Sequence, residues 1–319
     1  MLMLSRGVEA RDAERQASPD TVQATEADGG VGALGVDSPA GRAWARWPFV
    51  VPFAGRVLAL QGMHPIVSAG LEDHSDVFDN TWGRAWETLR YGLELIFGDT
   101  EGTARTIRAL HRGIRGVGYD GRRYHAWNPA AWTWVHLTTL EATLFSLDAI
   151  WGPVPADEQE ALYVEWKTVG RMYGVRERAM PGDVAGLRAY VARGIEHDLV
   201  ATPTARRLLD VVGTRLPRPP GLPVPRPLWW LMRPGAGHAA ATVLLGSFPT
   251  VLRRRLNVGW TPIHEAEYRA VLTSLRVSSA VLPDRLTLFP IAYRARRTAP
   301  RGASSGVVDA GSTSAPRGI

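Results

Sequence analysis

The sequence predicts an all-α protein: one globular multi-helix domain over residues 44–297, with disordered tails at residues 1–43 and 298–319. Apolar residues recur at helical spacing in one segment after another. Capping residues, glycines and prolines mark where nine or ten helices begin and end. We find no run of residues typical of a strand and no repeat period, which argues against β-rich and solenoid folds. The two tails are rich in small and polar residues and lack apolar periodicity.

Three helices are predicted in the N-terminal half of this domain, and each has its own boundary signal. Pro65 is expected to kink or break the first, because proline lacks the amide that a helix interior needs. Capping residues open the second and third, and glycines close them. Their predicted ranges are 57–73, 82–97 and 101–116. The Gly-rich connection that follows is compatible with a short hairpin.

The C-terminal half continues with helices, interrupted once by prolines. Asn128 and Pro129 provide an N-cap and a first-turn proline for a long helix. Residues 217–227 contain six prolines in PRPPGLPVPRP and are expected to cross the surface as an extended segment. The helices predicted here cover 128–150, 155–173, 183–200, 203–213, 228–245, 247–256 and 262–281.

Composition excludes several function classes. The chain has no cysteine, so disulfides, zinc ribbons, iron–sulfur clusters and thiol catalysis are all absent. The net charge is +6, yet only Lys167 among the 37 basic residues is lysine, and the arginines are interspersed with acids. This pattern does not favour nucleic acid as a partner. No signal peptide and no run of about 18 apolar residues is present, so we expect a soluble, cytoplasmic protein without a transmembrane segment.

One stretch, residues 84–136, concentrates the residues that can carry chemistry. It holds three of the eight histidines, and histidine is the strongest soft metal ligand left in a chain without cysteine. Helical spacing places neighbouring polar residues on common faces, which would let them line one polar cavity. The three faces are Arg84–Thr88–Tyr91, Arg108–His111–Arg115 and Trp132–His136–Thr139. Solvated faces and histidines packed in the core are the alternative interpretation of the same spacing.

His64 is a further candidate because it directly precedes Pro65. The missing amide of Pro65 frees a backbone carbonyl, and the resulting kink either faces a cavity or is purely structural. Familiar catalytic signatures are missing from the whole chain: there is no HExxH, GxSxG, P-loop, dinucleotide-binding or EF-hand motif. Spacing alone therefore indicates an all-α domain with a possible polar cavity.

The order of several segments resembles the family of oxygenases that comprises MpaB and the catalytic domain of rubber oxygenase, the latex-clearing protein. The resemblance covers about residues 50–290. The segments are M-H-P-I-V-S-A-G with D-H-S after it, R-x-x-x-T (Arg84, Thr88), Y-G-x-x-x-x-F-G, R-x-L-H-R-G-I-R-G, G-x-x-Y-x-A-x-x-P, W-V-H-L-T, E-W-K-T-V-G-R-M-Y-G-V and M-P-G-D.

This resemblance implies a globin-related all-α architecture that holds b-type haem through one proximal histidine and reacts with dioxygen. His111 matches the family's axial ligand, and His136 competes with it for that role. Arg84 and Thr88 match the pair of pocket residues, and His64 is a candidate pocket residue. Arg108 and Arg115 are expected to bind the haem propionates.

The sequence departs from the rubber oxygenase pattern at Glu87, where that enzyme has a lysine able to cap the iron. Distal capping by lysine and polyisoprene as the substrate are therefore not expected. We predict a haem-b-dependent oxygenase acting with O2 on a small apolar substrate of alkene or isoprenoid type. A non-catalytic haem-binding or haem-sensing protein and a haem-free helical scaffold are the alternatives. The oligomeric state does not follow from the sequence.

Overall fold

The computed structural model describes residues 34–298 and confirms the all-α prediction. In this range the chain forms fourteen α-helices and, as its one sheet, a two-stranded hairpin. The predicted tails lie outside the described residues, except for residues 34–43 and Thr298. The helices are α1 Pro39–Trp44, α2 Trp47–Gly62, α3 Pro65–His74, α4 Thr81–Phe97, α5 Thr100–His111, α6 Pro129–Trp151, α7 Ala156–Met172, α8 Val184–His197, α9 Pro203–Gly213, α10 Arg226–Gly246, α11 Thr250–Arg255, α12 Pro262–Val281, α13 Asp284–Thr287 and α14 Pro290–Thr298.

Helix α1 lies inside the stretch that the sequence predicts as a tail. The Ser38 side chain caps it by accepting a hydrogen bond of 3.0 Å from the Gly41 amide. Ala40 and Trp44 are buried in the main core, so this part of the prediction is wrong. A helix of six residues is too short to show apolar periodicity, which is why the pattern missed it.

The break predicted at Pro65 is confirmed. Helix α2 ends at Gly62 and α3 begins with Pro65, and the two helix axes form an angle of 103°. No single helix within residues 34–298 is long and apolar enough to cross a membrane. The α2–α3 pair reaches the required length and hydropathy only when its two bent halves are counted together.

Helix α5 ends five residues earlier than predicted. Its last residue is His111, and residues Arg115–Val117 form strand β1, which pairs antiparallel with β2 at Arg123–His125. The hairpin interpretation is therefore confirmed, whereas the extension of the helix to residue 116 is wrong. The hairpin is held against α3 by a 2.5 Å hydrogen bond from the Tyr124 hydroxyl to Asp73.

Helix α6 is the centre of the core. Its buried residues run from Ala131 to Ile150, and it packs against α2, α7, α8 and α12. A helix with apolar residues on all sides is typical of such a central position. The indole of Trp134 donates a hydrogen bond of 3.1 Å to the Leu60 carbonyl in α2. Helix α6 therefore supports both the α2–α3 bend and the layer formed by α7 and α8.

Candidate functional site

Helices α4 and α5 form the frame of the candidate site. Only Gly98 and Asp99 separate them, so they run antiparallel and pack side by side. The Asp99 carboxylate starts α5 by accepting a hydrogen bond of 2.8 Å from the Gly102 amide. This arrangement brings the C-terminal end of α5, with His111, next to the N-terminal half of α4, which carries Arg84 and Thr88.

His111 has one ring nitrogen fixed and the other without a partner. Its Nδ1 lies 2.7 Å from the carbonyl oxygen of Ile107, one turn earlier in α5. A carbonyl only accepts, so Nδ1 carries the proton and Nε2 keeps its lone pair. The residue is 1% exposed, and Nε2 is buried with no hydrogen-bond partner among the described residues.

The charge state of His111 suits a metal ligand. Burial lowers its pKa to about 3, and the positive charge of Arg84 acts in the same direction. The imidazole is therefore neutral at physiological pH, which is the form that binds a metal. Trp132 from α6 holds the ring in an edge-to-face contact, with 5.0 Å between the ring centroids.

Arg84 and Thr88 add polar atoms without hydrogen-bond partners next to this histidine. Arg84 is 3% exposed and forms two ion pairs, one with Glu87 and one with Asp76, where its Nε lies 3.4 Å from Oδ1 without hydrogen-bond geometry. Within residues 34–298 its Nε and second terminal nitrogen, and the Thr88 hydroxyl, have no hydrogen-bond partner. Buried polar groups are normally hydrogen-bonded, so this concentration of donors without hydrogen bonds makes the α4–α5 pair the candidate site.

His136 differs from His111 in what faces its free nitrogen. Its Nδ1 is hydrogen-bonded to the Tyr173 hydroxyl, and its ring stacks on Trp166 with 5.5 Å between centroids. Burial lowers its pKa to about 3 as well. However, a Cβ atom at Gly170 would lie 2.5 Å from Nε2, because the backbone of α7 packs directly against the ring. The α7 backbone therefore lies close to this nitrogen and restricts the space on that side of the ring.

His64 lies apart from the other candidates. It occupies the N-cap position of α3, and its ring is 6.1 Å from Trp134 in α6. Its Nδ1 is buried without a partner in the described part of the chain, and burial lowers its pKa, while Asp198 after α8 opposes that shift. The structure therefore brings His64 to the α6–α8 side of the α2–α3 bend.

The predicted common face of Arg108, His111 and Arg115 is wrong. Because α5 ends at His111, Arg115 belongs to β1, and the side chains of Arg108 and Arg115 are both exposed. Both guanidinium groups lie close in the chain to His111 but point into solvent rather than lining a shared cavity. Their expected role at the edge of a cofactor stays a prediction.

Two further features frame the site. Among the described residues, no three His, Asp or Glu side chains cluster as metal ligands. A surface cavity of about 720 Å3 lies at the N-terminus of α4, between Phe78 and Arg215. None of the predicted site residues lines this cavity. We therefore assign the candidate site to the buried polar atoms of His111, Arg84 and Thr88 that lack hydrogen-bond partners.

Sequence reasoning missed Tyr173 and Asp76, which complete the surroundings of His136 and Arg84. Tyr173 is 37 residues from His136, and its ring also contacts Trp132 at 6.0 Å. No spacing signal connects residues so far apart in the chain. The contact of Trp132 with both His111 and Tyr173 links the two histidines through one aromatic cluster.

Comparisons with known proteins identify relatives of this chain. Two uncharacterized mycobacterial proteins, Rv2237 of Mycobacterium tuberculosis and Mb2261 of Mycobacterium bovis, are each 22% identical to this chain over 236 residues. Each match covers 73% of this chain and 88% of the relative. No solved structure matches at a significant level. Residues 41–277, which include the whole candidate site, match the family described as ER-bound oxygenase mpaB/B'/Rubber oxygenase, catalytic domain. The chain belongs to this family of oxygenase catalytic domains.

Proposed function

We propose that this protein is a haem-b-dependent oxygenase that acts with O2 on a small apolar substrate of alkene or isoprenoid type. The observation that carries the proposal is His111, a buried neutral imidazole whose Nε2 lone pair has no partner in the described chain. Family membership supports the reaction class, and the histidine supports the cofactor.

The residues present fit a haem. His111 would ligate the iron through Nε2, since its Nδ1 proton is held by Ile107 and fixes the tautomer. The exposed guanidinium groups of Arg108 and Arg115 would pair with the propionates at the solvent edge. When bound, haem would supply the redox-active iron that binds and activates dioxygen.

The chain itself would contribute hydrogen-bond donors that are held in place and shielded from water. Arg84 and Thr88 present N–H and O–H groups that can hold a polar atom of a ligand beside His111. A cation acts more strongly at such a buried position than in water, because the local dielectric is low. Trp132 keeps water from the His111 ring and limits its rotation.

Glu87 argues against polyisoprene as the substrate. Its carboxylate forms an ion pair with Arg84, so it orients this arginine and partly neutralises its charge. A carboxylate at this position cannot act as the capping amine that the resemblance to rubber oxygenase would otherwise imply. We therefore expect small alkenes or isoprenoids rather than polyisoprene as substrates.

The test is spectroscopic first and kinetic second. The protein should be expressed with a haem supply and purified, and we expect Soret absorbance at about one haem per chain. Lack of Soret absorbance would favour the haem-free scaffold and contradict the proposal. Oxygen consumption in the presence of an alkene then separates an oxygenase from a haem-binding sensor.

Variants of α4 test the roles of the two pocket residues. Arg84→Gln and Thr88→Val should keep haem and lower oxygen consumption by about 10- to 1000-fold, as expected when a buried donor to the reacting group is removed. Arg90→Gln is the matched control, since Arg90 lies on the same helix in an exposed ion pair with Glu94. Unchanged rates in both variants would exclude Arg84 and Thr88 from the reaction.

A further inference from the structure

The N-terminal half of α10 presents large apolar side chains to solvent. Residues 226–235 have the sequence RPLWWLMRPG. Trp229 is buried and fixes the segment to the core, whereas Trp230 is 62% exposed and Leu231 is 78% exposed. Leu228 and Met232 are exposed as well. Contiguous exposed apolar side chains of this size are typical of a surface that binds a partner.

These residues share one continuous side of the helix. At about 100° per residue, the exposed positions fill an arc of about 200° in which no polar side chain occurs. We call this arc the apolar face. It consists of Pro227, Leu228, Trp230, Leu231, Met232 and Pro234.

Arginines flank the apolar face. Arg226 and Arg233 lie at its border, and the guanidinium carbon of Arg233 is 4.3 Å from the centroid of the Trp230 ring. Within residues 34–298 neither arginine forms an ion pair with a carboxylate. Both charges are therefore available to an external anion.

The surrounding sequence is basic over a long distance. Residues 211–264 contain seven arginines and neither aspartate nor glutamate. The arginines are Arg215, Arg218, Arg226, Arg233, Arg253, Arg254 and Arg255. A segment without acids repels a second copy of itself, because a two-fold contact would bring like charges together.

We propose that the apolar face docks the protein onto the surface of an anionic phospholipid bilayer. Tryptophan and leucine enter the boundary between headgroups and acyl chains, and tryptophan favours this boundary because its ring is amphipathic. Arg226 and Arg233 at the border pair with lipid phosphates, and the acid-free segment adds long-range attraction to the negative surface. Helix α10 lies on the bilayer in this arrangement and does not span it.

Vesicle flotation tests the proposal with the full-length protein. Vesicles of phosphatidylcholine with phosphatidylglycerol should bind it at low salt, and vesicles of phosphatidylcholine alone should bind it at least about tenfold more weakly. The variant Trp230→Ser/Leu231→Ser should reduce binding by about tenfold or more, because two large apolar groups no longer enter the lipid. Arg226→Gln/Arg233→Gln should reduce binding to anionic vesicles several-fold.

A matched control removes apolar groups elsewhere. Trp86 on α4 is 58% exposed and Val164 on α7 is 57% exposed, so Trp86→Ser/Val164→Ser should leave vesicle binding unchanged. Circular dichroism verifies that all variants are folded.

Three outcomes would overturn the proposal. The first is that the protein does not bind anionic vesicles, and the second is that the Trp230→Ser/Leu231→Ser variant binds them as strongly as the parent protein does. The third is a dimer in solution that this variant abolishes, which would assign the apolar face to contact with a second copy. Vesicle binding is measured without reference to the Soret band, so its failure is distinct from a failure of the haem proposal.

Discussion

His111 and His136 have almost the same environment by most criteria, yet different elements of the fold face their free nitrogens. Both are buried, burial lowers the pKa of each to about 3, and each has an Nε2 without a partner in the described chain. The difference that the structure shows is steric: the α7 backbone at Gly170 lies close to Nε2 of His136, so close that an added Cβ would be 2.5 Å from it. Burial and an unpaired nitrogen therefore do not identify a ligand until the space in front of that nitrogen is known.

The largest expected effect concerns haem binding. His111→Ala should lose haem and its Soret band, because it removes the proposed Nε2 ligand, whereas His136→Ala should retain both. His125→Ala is the control, since His125 is an exposed histidine of the hairpin. Retention of an unchanged spectrum by His111→Ala would assign the ligand to His136 and reverse the comparison.

Gly170→Ala tests whether the α7 backbone closes the space at His136. The added methyl group would lie 2.5 Å from Nε2, so one of two buried elements must move. We expect a loss of about 3 kcal/mol in the free energy of unfolding, measured by urea denaturation. Gly55→Ala is the control, because its Cβ would meet Leu244 at an ordinary 3.5 Å. A neutral Gly170→Ala would show that His136 has space for a ligand.

The pH dependence of stability should be similar for the two histidines. Each has a pKa of about 3 when folded, below the ordinary value of 6.5. Between these values the unfolded chain binds more protons, so stability is complete above pH 6.5 and is lost as the pH falls. Each histidine should account for about 2 kcal/mol of loss between pH 8 and pH 5.

Urea denaturation of the haem-free protein at both pH values measures this loss. His111→Gln and His136→Gln should each reduce the pH dependence by about 2 kcal/mol. Equal pH dependence in the parent protein and in both variants would mean that neither imidazole is kept neutral by burial.

The smallest effect concerns the partner of His136. Tyr173→Phe removes the hydroxyl bonded to Nδ1 and should cost about 1 kcal/mol of unfolding free energy, with haem content unchanged. Urea denaturation and the Soret band measure the two quantities. Loss of haem in this variant would place Tyr173 in the cofactor site and weaken the distinction between the two histidines.

Local signals in the sequence predicted most of the helices, and they also named the residues of the candidate site that lie close together in the chain. The break at Pro65, the Asp99 cap and the range 203–213 depend on neighbouring residues, and the structure has them as predicted. The end of α5 was misplaced because Gly113 interrupts the helix before the predicted Gly116, and strand pairing then takes over.

The site residues that were missed depend on contacts across the fold. By contrast, Arg84 and His111 are neighbours because α4 and α5 pair, and the short connection between these two helices indicates that pairing in the sequence. The contact of His136 with Tyr173 and the closeness of Gly170 depend on how α6 packs against α7. Such packing of side chains between distant helices has no periodicity that a single sequence displays.

The burial of His111 also has a kinetic consequence. Its Nε2 is buried from solvent among the described residues, as is that of His136. Binding of a haem at this nitrogen would therefore require α4 and α5 to separate first, in an open conformation that is a minor population. The rate of haem capture should then stop rising at high haem concentration and equal the rate of opening. Cofactor loading would be limited by how often this helix pair opens rather than by how much haem is present.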